Sequence, residues 1–155
     1  MINSIWFDMD GTIADLYGVD NWLGKLRSED VTPYEDATPL VNMRDLESLL
    51  YAFQAVGVSV GVISWAAMDD EVPYRKAVRR VKKAWLKKHC PILAANCHVV
   101  KYGTPKHNVP SKNAMVLVDD NDDVCKAWER YGTTIKATPQ TLMRDLENLL
   151  WKVLD

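Results

Sequence analysis

The sequence predicts an α/β fold: three layers, with a parallel sheet of about five strands between helices. Three short runs rich in Ile, Val and other apolar residues, at 2–7, 58–64 and 114–118, each become polar at the C-terminal end. They do not alternate apolar with polar, as strands with one wet face would, so both faces of each are expected to be covered. Between them lie stretches in which apolar residues recur at helical spacing, and strand–helix alternation implies parallel crossovers.

The first strand, 2–7, ends at Phe7 and runs directly into an acidic, Gly-containing turn. A helix follows in which Met43, Leu46, Leu49, Leu50 and Phe53 form one stripe, with Gly57 as its stop. The second strand, 58–64, leads to a helix over about 74–88 with Val78, Val81 and Trp85 on one face. Weaker strands are expected at 98–100 and 133–135. The third strong strand, 114–118, delivers Asp119 and Asp120 to a helix running through Val124, Trp128 and Tyr131 to a stop at Gly132. The last helix carries Leu142, Leu146, Leu149, Leu150 and Val153. Segments 37–50 and 137–150 are nearly the same sequence, each with Ala-Thr-Pro, Met-Arg-Asp-Leu-Glu and Leu-Leu at matching offsets. Thr38 and Thr138 are expected to cap these helices, with Pro39 and Pro139 at the first position.

A chain of 155 residues with 48% hydrophobic content closes one core, so residues 1–155 are expected to form a single domain. The formal charge of -2 gives no global reason for a nucleic-acid or anionic-membrane partner. The N-terminus lacks the basic start and apolar core of a signal peptide, and no apolar run approaches membrane-spanning length. Cys90, Cys97 and Cys125 are an odd count in a chain of this size, which fits reduced thiols. A cytoplasmic protein without a membrane partner is expected; the sequence is silent on oligomeric state.

The chemistry concentrates at strand ends. Phe7-Asp8-Met9-Asp10-Gly11-Thr12 sets two carboxylates two residues apart, and the turn at Gly11 can bring both into one pocket. Thr12 and the amides around Gly11 are expected to cradle phosphate oxygens. Ser64 and Trp65 close the second strand, and Asp119-Asp120-Asn121-Asp122-Asp123 follows the third strong one. So many acids in so few residues repel one another without a cation, and a hard ion such as Mg²⁺ is adequately held by a few carboxylates plus water.

In this order and on these elements, the motifs resemble those of the haloacid dehalogenase superfamily. The resemblance implies a HAD-like, Rossmann-like core and a Mg²⁺-dependent phosphatase. Asp8 would then be the nucleophile that becomes an aspartyl phosphate, Asp10 the general acid and base, and Ser64 a hydroxyl donor to the phosphoryl group. Asp120 would be the direct metal ligand with Asp8 and the Asp10 carbonyl, and Asp119 would support it. Asp122 or Asp123 would orient a metal-bound water or favour the N-terminus of the following helix, the latter being the expectation for Asp122. The family also uses a lysine against the nucleophile. Lys101, Lys106 and Lys112 are candidates, and Lys106 is preferred because a Gly-Thr-Pro turn precedes it.

Residues 13–38 resemble a minimal cap insertion, expected to hold one small helix with Tyr17 or Trp22 facing the substrate. The expected partner is a phosphorylated small molecule or a nucleotide. The helix carrying Arg75, Lys76, Arg79, Arg80, Lys82, Lys83, Lys87 and Lys88 could hold a nucleic-acid backbone, or be a solvated face. The alternatives are therefore a nucleotidase or nucleic-acid end phosphatase and, from another class, a catalytically silent binding protein. His89-Cys90 and Cys97-His98 offer zinc-type ligands at an unusual gap, and core cysteines are the plainer reading.

Overall fold

The computed structural model describes residues 1–68, 71–110 and 115–155. Five parallel strands form one sheet in the order β3-β2-β1-β4-β5: β1 Ser4–Phe7, β2 Ser59–Trp65, β3 Cys97–Val100, β4 Met115–Asp119 and β5 Gly132–Lys136. The apolar runs become β1, β2 and β4, the three inner strands. The weak runs become the half-exposed edges, where less burial demands less hydrophobicity.

Alternate residues of the inner strands enter different cores. Ile5, Phe7, Val60, Val62, Val116 and Val118 pack with Leu46, Leu50 and Phe53 of α3 (Met43–Ala55) and with Leu142 and Leu146 of α7 (Leu142–Leu154). Trp6, Ile63, Met115 and Leu117 pack instead with Trp128 of α6 (Asp122–Trp128). Each face of the sheet thus removes its own apolar stripe from water, which is the main stabilising term for such a sheet. The long helix α4 (Val72–His89) and the single turn α5 (Pro91–Ala94) connect β2 to β3.

Several local expectations change. α3 ends at Ala55, and Gly57 follows with φ +85°, the left-handed backbone that suits a helix stop. Its start is capped by Asn42, whose side chain accepts from the Asp45 amide; Thr38 and Pro39 lie upstream, where Pro39 bridges to Ala14. In the second copy, Thr138 and Pro139 likewise precede the helix, and the Thr138 and Thr141 hydroxyls are 2.6 Å apart. The repeated Thr-Pro pairs therefore both lie before the helices, Pro39 in a bridge and Pro139 in a turn. α6 stops at Trp128, and Gly132 opens β5 instead of ending a helix. Residues 13–38 carry a 3₁₀ turn (Leu16–Gly18), α1 (Trp22–Arg27) and α2 (Thr32–Asp36), three short pieces where one helix was expected. Among the described residues no helix is long and apolar enough to cross a membrane.

Candidate active site

The chain lays strands outward from β1 to β3 and then returns to the other side of β1 with β4 and β5. Between β1 and β4 the winding direction reverses, which opens a crevice at the strands' C-terminal ends. Asp8 directly follows β1, and its amide donates to Val118 O at 2.9 Å, so the nucleophile candidate is locked to β4. The chain then winds around one carbonyl: the amides of Thr12, Ile13 and Ala14 all reach Met9 O, and that of Gly11 reaches Ala14 O. Gly11 has φ +79°, and a Cβ there would collide with the Asp120 carboxylate and the Tyr17 ring. Glycine is what lets this turn close against the loop after β4. The Gly11 and Thr12 amides, expected to cradle phosphate, are thus spent within the turn.

Lys106 sits in a short 3₁₀ turn (Lys106–Asn108) and is buried. Its Nζ donates to Asp8 Oδ1 at 2.9 Å and to Asp119 Oδ2 at 2.7 Å, joining the ends of β1 and β4. Burial works against the ammonium charge, but Asp8 and Asp119 outweigh it and raise the Lys106 pKa. Lys101 is exposed just beyond β3, and Lys112 falls outside the described residues. The Thr12 hydroxyl lies 3.2 Å from Asp120 Oδ1 and 3.4 Å from Asp8 Oδ2. Burial and the neighbouring Asp8 push Asp119 up to about 6 and Asp120 up to about 7.

Asp10 is held from the other side by Lys82, in the middle of α4. Lys82 Nζ donates to Asp10 Oδ2 at 2.7 Å, to Ser64 Oγ at 2.8 Å and to Trp65 O at 2.7 Å, and stands 4.9 Å from the centroid of the Tyr34 ring. Three donors meet three acceptors, so this buried ammonium is fully satisfied. Burial raises the Asp10 pKa, and Lys82 counters it. This residue escaped the sequence reading, which placed it on a solvated or nucleic-acid-binding face. The signal was its phase: Tyr74, Val78, Lys82 and Trp85 lie along the buried stripe of α4. Arg79 is exposed but donates its Nε to Val99 O, and Lys76, Arg80, Lys83, Lys87 and Lys88 are exposed too.

Asp8, Asp10, Trp65, Lys106, Asp119 and Asp120 all line one cavity of about 460 Å³. Gly11, Thr12 and Ser64 are not in its lining. Ser64 is fully buried with its Oγ against Lys82, so it anchors that lysine instead of facing the cavity. Tyr17 and Trp22 both line the cavity, as does Tyr34.

Among the described residues, one group of His, Cys, Asp or Glu converges as metal ligands do. It is Asp8, Asp119 and Asp120, with one oxygen from each within 4.8 Å of the others. Four carboxylates (Asp8, Asp10, Asp119 and Asp120) face two ammonium groups (Lys82 and Lys106). The surplus matches one divalent cation, and all-oxygen donors suit a hard one, so the residues fit Mg²⁺. Asp10 gives its carboxylate to Lys82 and does not join that cluster. Asp122 is an exposed partner of Lys136 at 2.7 Å in the first turn of α6, where Asn121 caps. Cys90 and Cys97 are free thiols that burial pushes up to about 11, and the rings of His89 and His98 lie against Trp85 and Trp6. That disfavours a zinc thiolate site. Comparison with protein-family models, with curated proteins and with solved structures finds no match to this chain.

Proposed function

We propose that the chain is a Mg²⁺-dependent phosphomonoesterase of the haloacid dehalogenase type, with a three-layer Rossmann-like core and residues 13–38 as a small cap. The observation that carries this reading is Lys106 bridging Asp8 and Asp119 beside Asp120 at the crevice between β1 and β4. An isolated acidic turn has no need of a buried lysine reaching in from another loop.

Asp8 attacks phosphorus, the bond to the leaving oxygen breaks, and Asp10 supplies that oxygen's proton. Water then attacks the aspartyl phosphate, Asp10 takes back a proton, and phosphate leaves with Asp8 regenerated. Lys106 offsets the charge that gathers near Asp8, while Lys82 fixes one oxygen of Asp10. Asp10 Oδ1 has no donor among the described residues, which leaves it for proton transfer. Asp8, Asp119 and Asp120, with the Asp10 carbonyl, would hold Mg²⁺, and the bound ion supplies charge compensation for phosphoryl oxygens. Positioning and electrostatics are expected to carry most of the acceleration.

The test is hydrolysis of p-nitrophenyl phosphate with Mg²⁺ by the wild type and by Asp8→Asn, with circular dichroism to establish that both fold. Wild-type turnover that disappears in EDTA and in the folded variant is expected. Turnover by Asp8→Asn equal to wild type, or none by either protein, overturns the assignment.

A further inference from the structure

The cavity over Asp8 has two aromatic walls. On the side of residues 13–38, Tyr17 and Trp22 meet edge to face, centroids 4.9 Å apart at 70°. On the side of β2 and β3, Trp65 and Tyr102 meet at 5.0 Å and 57°. Trp65 is fixed, because its Nε1 donates to Thr104 O at 2.8 Å, and its ring centroid lies 5.5 Å from Lys106 Nζ. One wall thus begins beside the phosphoryl-transfer residues and continues outward to Tyr102.

Large apolar side chains left in water need a reason when they gather in one place. Tyr17, Leu23, Met68 and Tyr102 are all exposed, and all line this cavity. The floor is acidic: Lys106 there is already engaged by Asp8 and Asp119, Lys82 lies behind the lining on Asp10, and the other cation that lines the cavity is Arg27. Such a floor suits one phosphoryl group brought with a cation. The volume lies within the range, about 300–1,000 Å³, that takes a compact organic ligand.

We propose that the substrate is a nucleoside 5′-monophosphate, its phosphate at Asp8 and its flat base between the Tyr17–Trp22 and Trp65–Tyr102 walls. This rests on the phosphatase reading above. Aromatic faces hold any base by stacking with little regard to its hydrogen-bonding edge, so pyrimidine and purine should both be accepted.

Ribose 5-phosphate has the same leaving oxygen and the same sugar without the base, which isolates the stacking contact. Two measurements are made with Mg²⁺: kcat/KM for uridine and adenosine 5′-monophosphates, ribose 5-phosphate and phosphotyrosine, and affinity of the folded Asp8→Asn protein for the same four compounds. Both nucleotides should exceed ribose 5-phosphate by at least about fivefold in each measurement. That ratio should fall towards one in Trp22→Ala and in Tyr102→Ala, one substitution on each wall. Equal use of ribose 5-phosphate, a nucleotide preference that survives both substitutions, or stronger preference for phosphotyrosine overturns the proposal. Tighter nucleotide binding without any turnover would sink the phosphatase reading and leave the base site standing, so the two failures are distinguishable.

Discussion

Two buried lysines frame the site, and they do different work. Lys106 comes from a 3₁₀ turn at a strand edge and joins two carboxylates, Asp8 and Asp119, that belong to the proposed nucleophile and metal cluster. Lys82 comes from the interior of an 18-residue helix and spends its donors on one carboxylate, one hydroxyl and one carbonyl. The first touches the proposed nucleophile directly. The second faces Asp10, the proposed acid and base, and ties it, the end of β2 and the Tyr34 ring of residues 13–38 to one helix. The arrangement separates charge compensation from positioning.

The largest effect should follow loss of Lys106. Lys106→Met keeps the stem and removes the charge, and kcat is expected to fall at least about a hundredfold, the scale of losing an electrostatic contact to a transition state. Steady-state kinetics with p-nitrophenyl phosphate read it. An unchanged kcat would leave Lys106 a structural pair only.

Lys82 should matter less for chemistry and more for order. Lys82→Met is expected to lower kcat about ten- to a hundredfold through a displaced Asp10, with KM changing much less. It also leaves a carboxylate facing a largely apolar wall, and breaking a buried pair costs about 3–5 kcal/mol at full burial, an upper bound here because Asp10 keeps some solvent contact. Lys82→Arg should regain part of kcat, since charge is restored but a planar guanidinium cannot direct three donors as an ammonium does. The double variant Lys82→Met with Asp10→Asn should recover Tm without recovering activity. Recovery of both would contradict the positioning role.

The contrast also explains what the amino-acid sequence could reveal. Lys106 was readable because strand ends collect chemistry: a short apolar run followed by polar residues announces Asp8, Asp119 and Asp120, and a Gly-Thr-Pro turn announces the lysine. The parallel sheet was readable for the same reason, in uninterrupted runs such as 115–118, where every residue is buried. Lys82 was hidden by its neighbours. In a run of basic residues, composition argues for a wet face, and only the phase set by Tyr74, Val78 and Trp85 places position 82 inward. The contact of the Ser64 hydroxyl with Lys82 was not readable because a strand ending fixes position along the strand, whereas the direction of the hydroxyl depends on what the covering helix offers. Neither Thr-Pro pair starts its helix: in the first copy Asn42 holds the cap, and in the second Thr141 stands at the N-cap with no side-chain capping bond.

A smaller effect, on stability, concerns the Lys106 side alone. Without metal, the folded protein holds protons on Asp119 to about pH 6 and on Asp120 to about pH 7, whereas unfolded aspartate loses them near pH 4. The folded state therefore binds more protons between pH about 4 and 7, and stability falls as pH rises through that window. Mg²⁺ at the proposed site would bind the ionised forms, so the Tm gained on adding it should grow across the same window. Thermal unfolding in EDTA and in Mg²⁺, each at pH 5 and pH 8, measures the difference. A gain as large at pH 5 as at pH 8 would detach the metal from these two carboxylates.

The most direct test concerns Asp8. An aspartyl phosphate trapped by acid quench and reduced with borohydride becomes homoserine, which mass spectrometry locates by position. After turnover with p-nitrophenyl phosphate and Mg²⁺, homoserine is expected at position 8 and at no other aspartate. Phosphate release with no modification at Asp8, or with homoserine at Asp10, Asp119 or Asp120, would contradict the account.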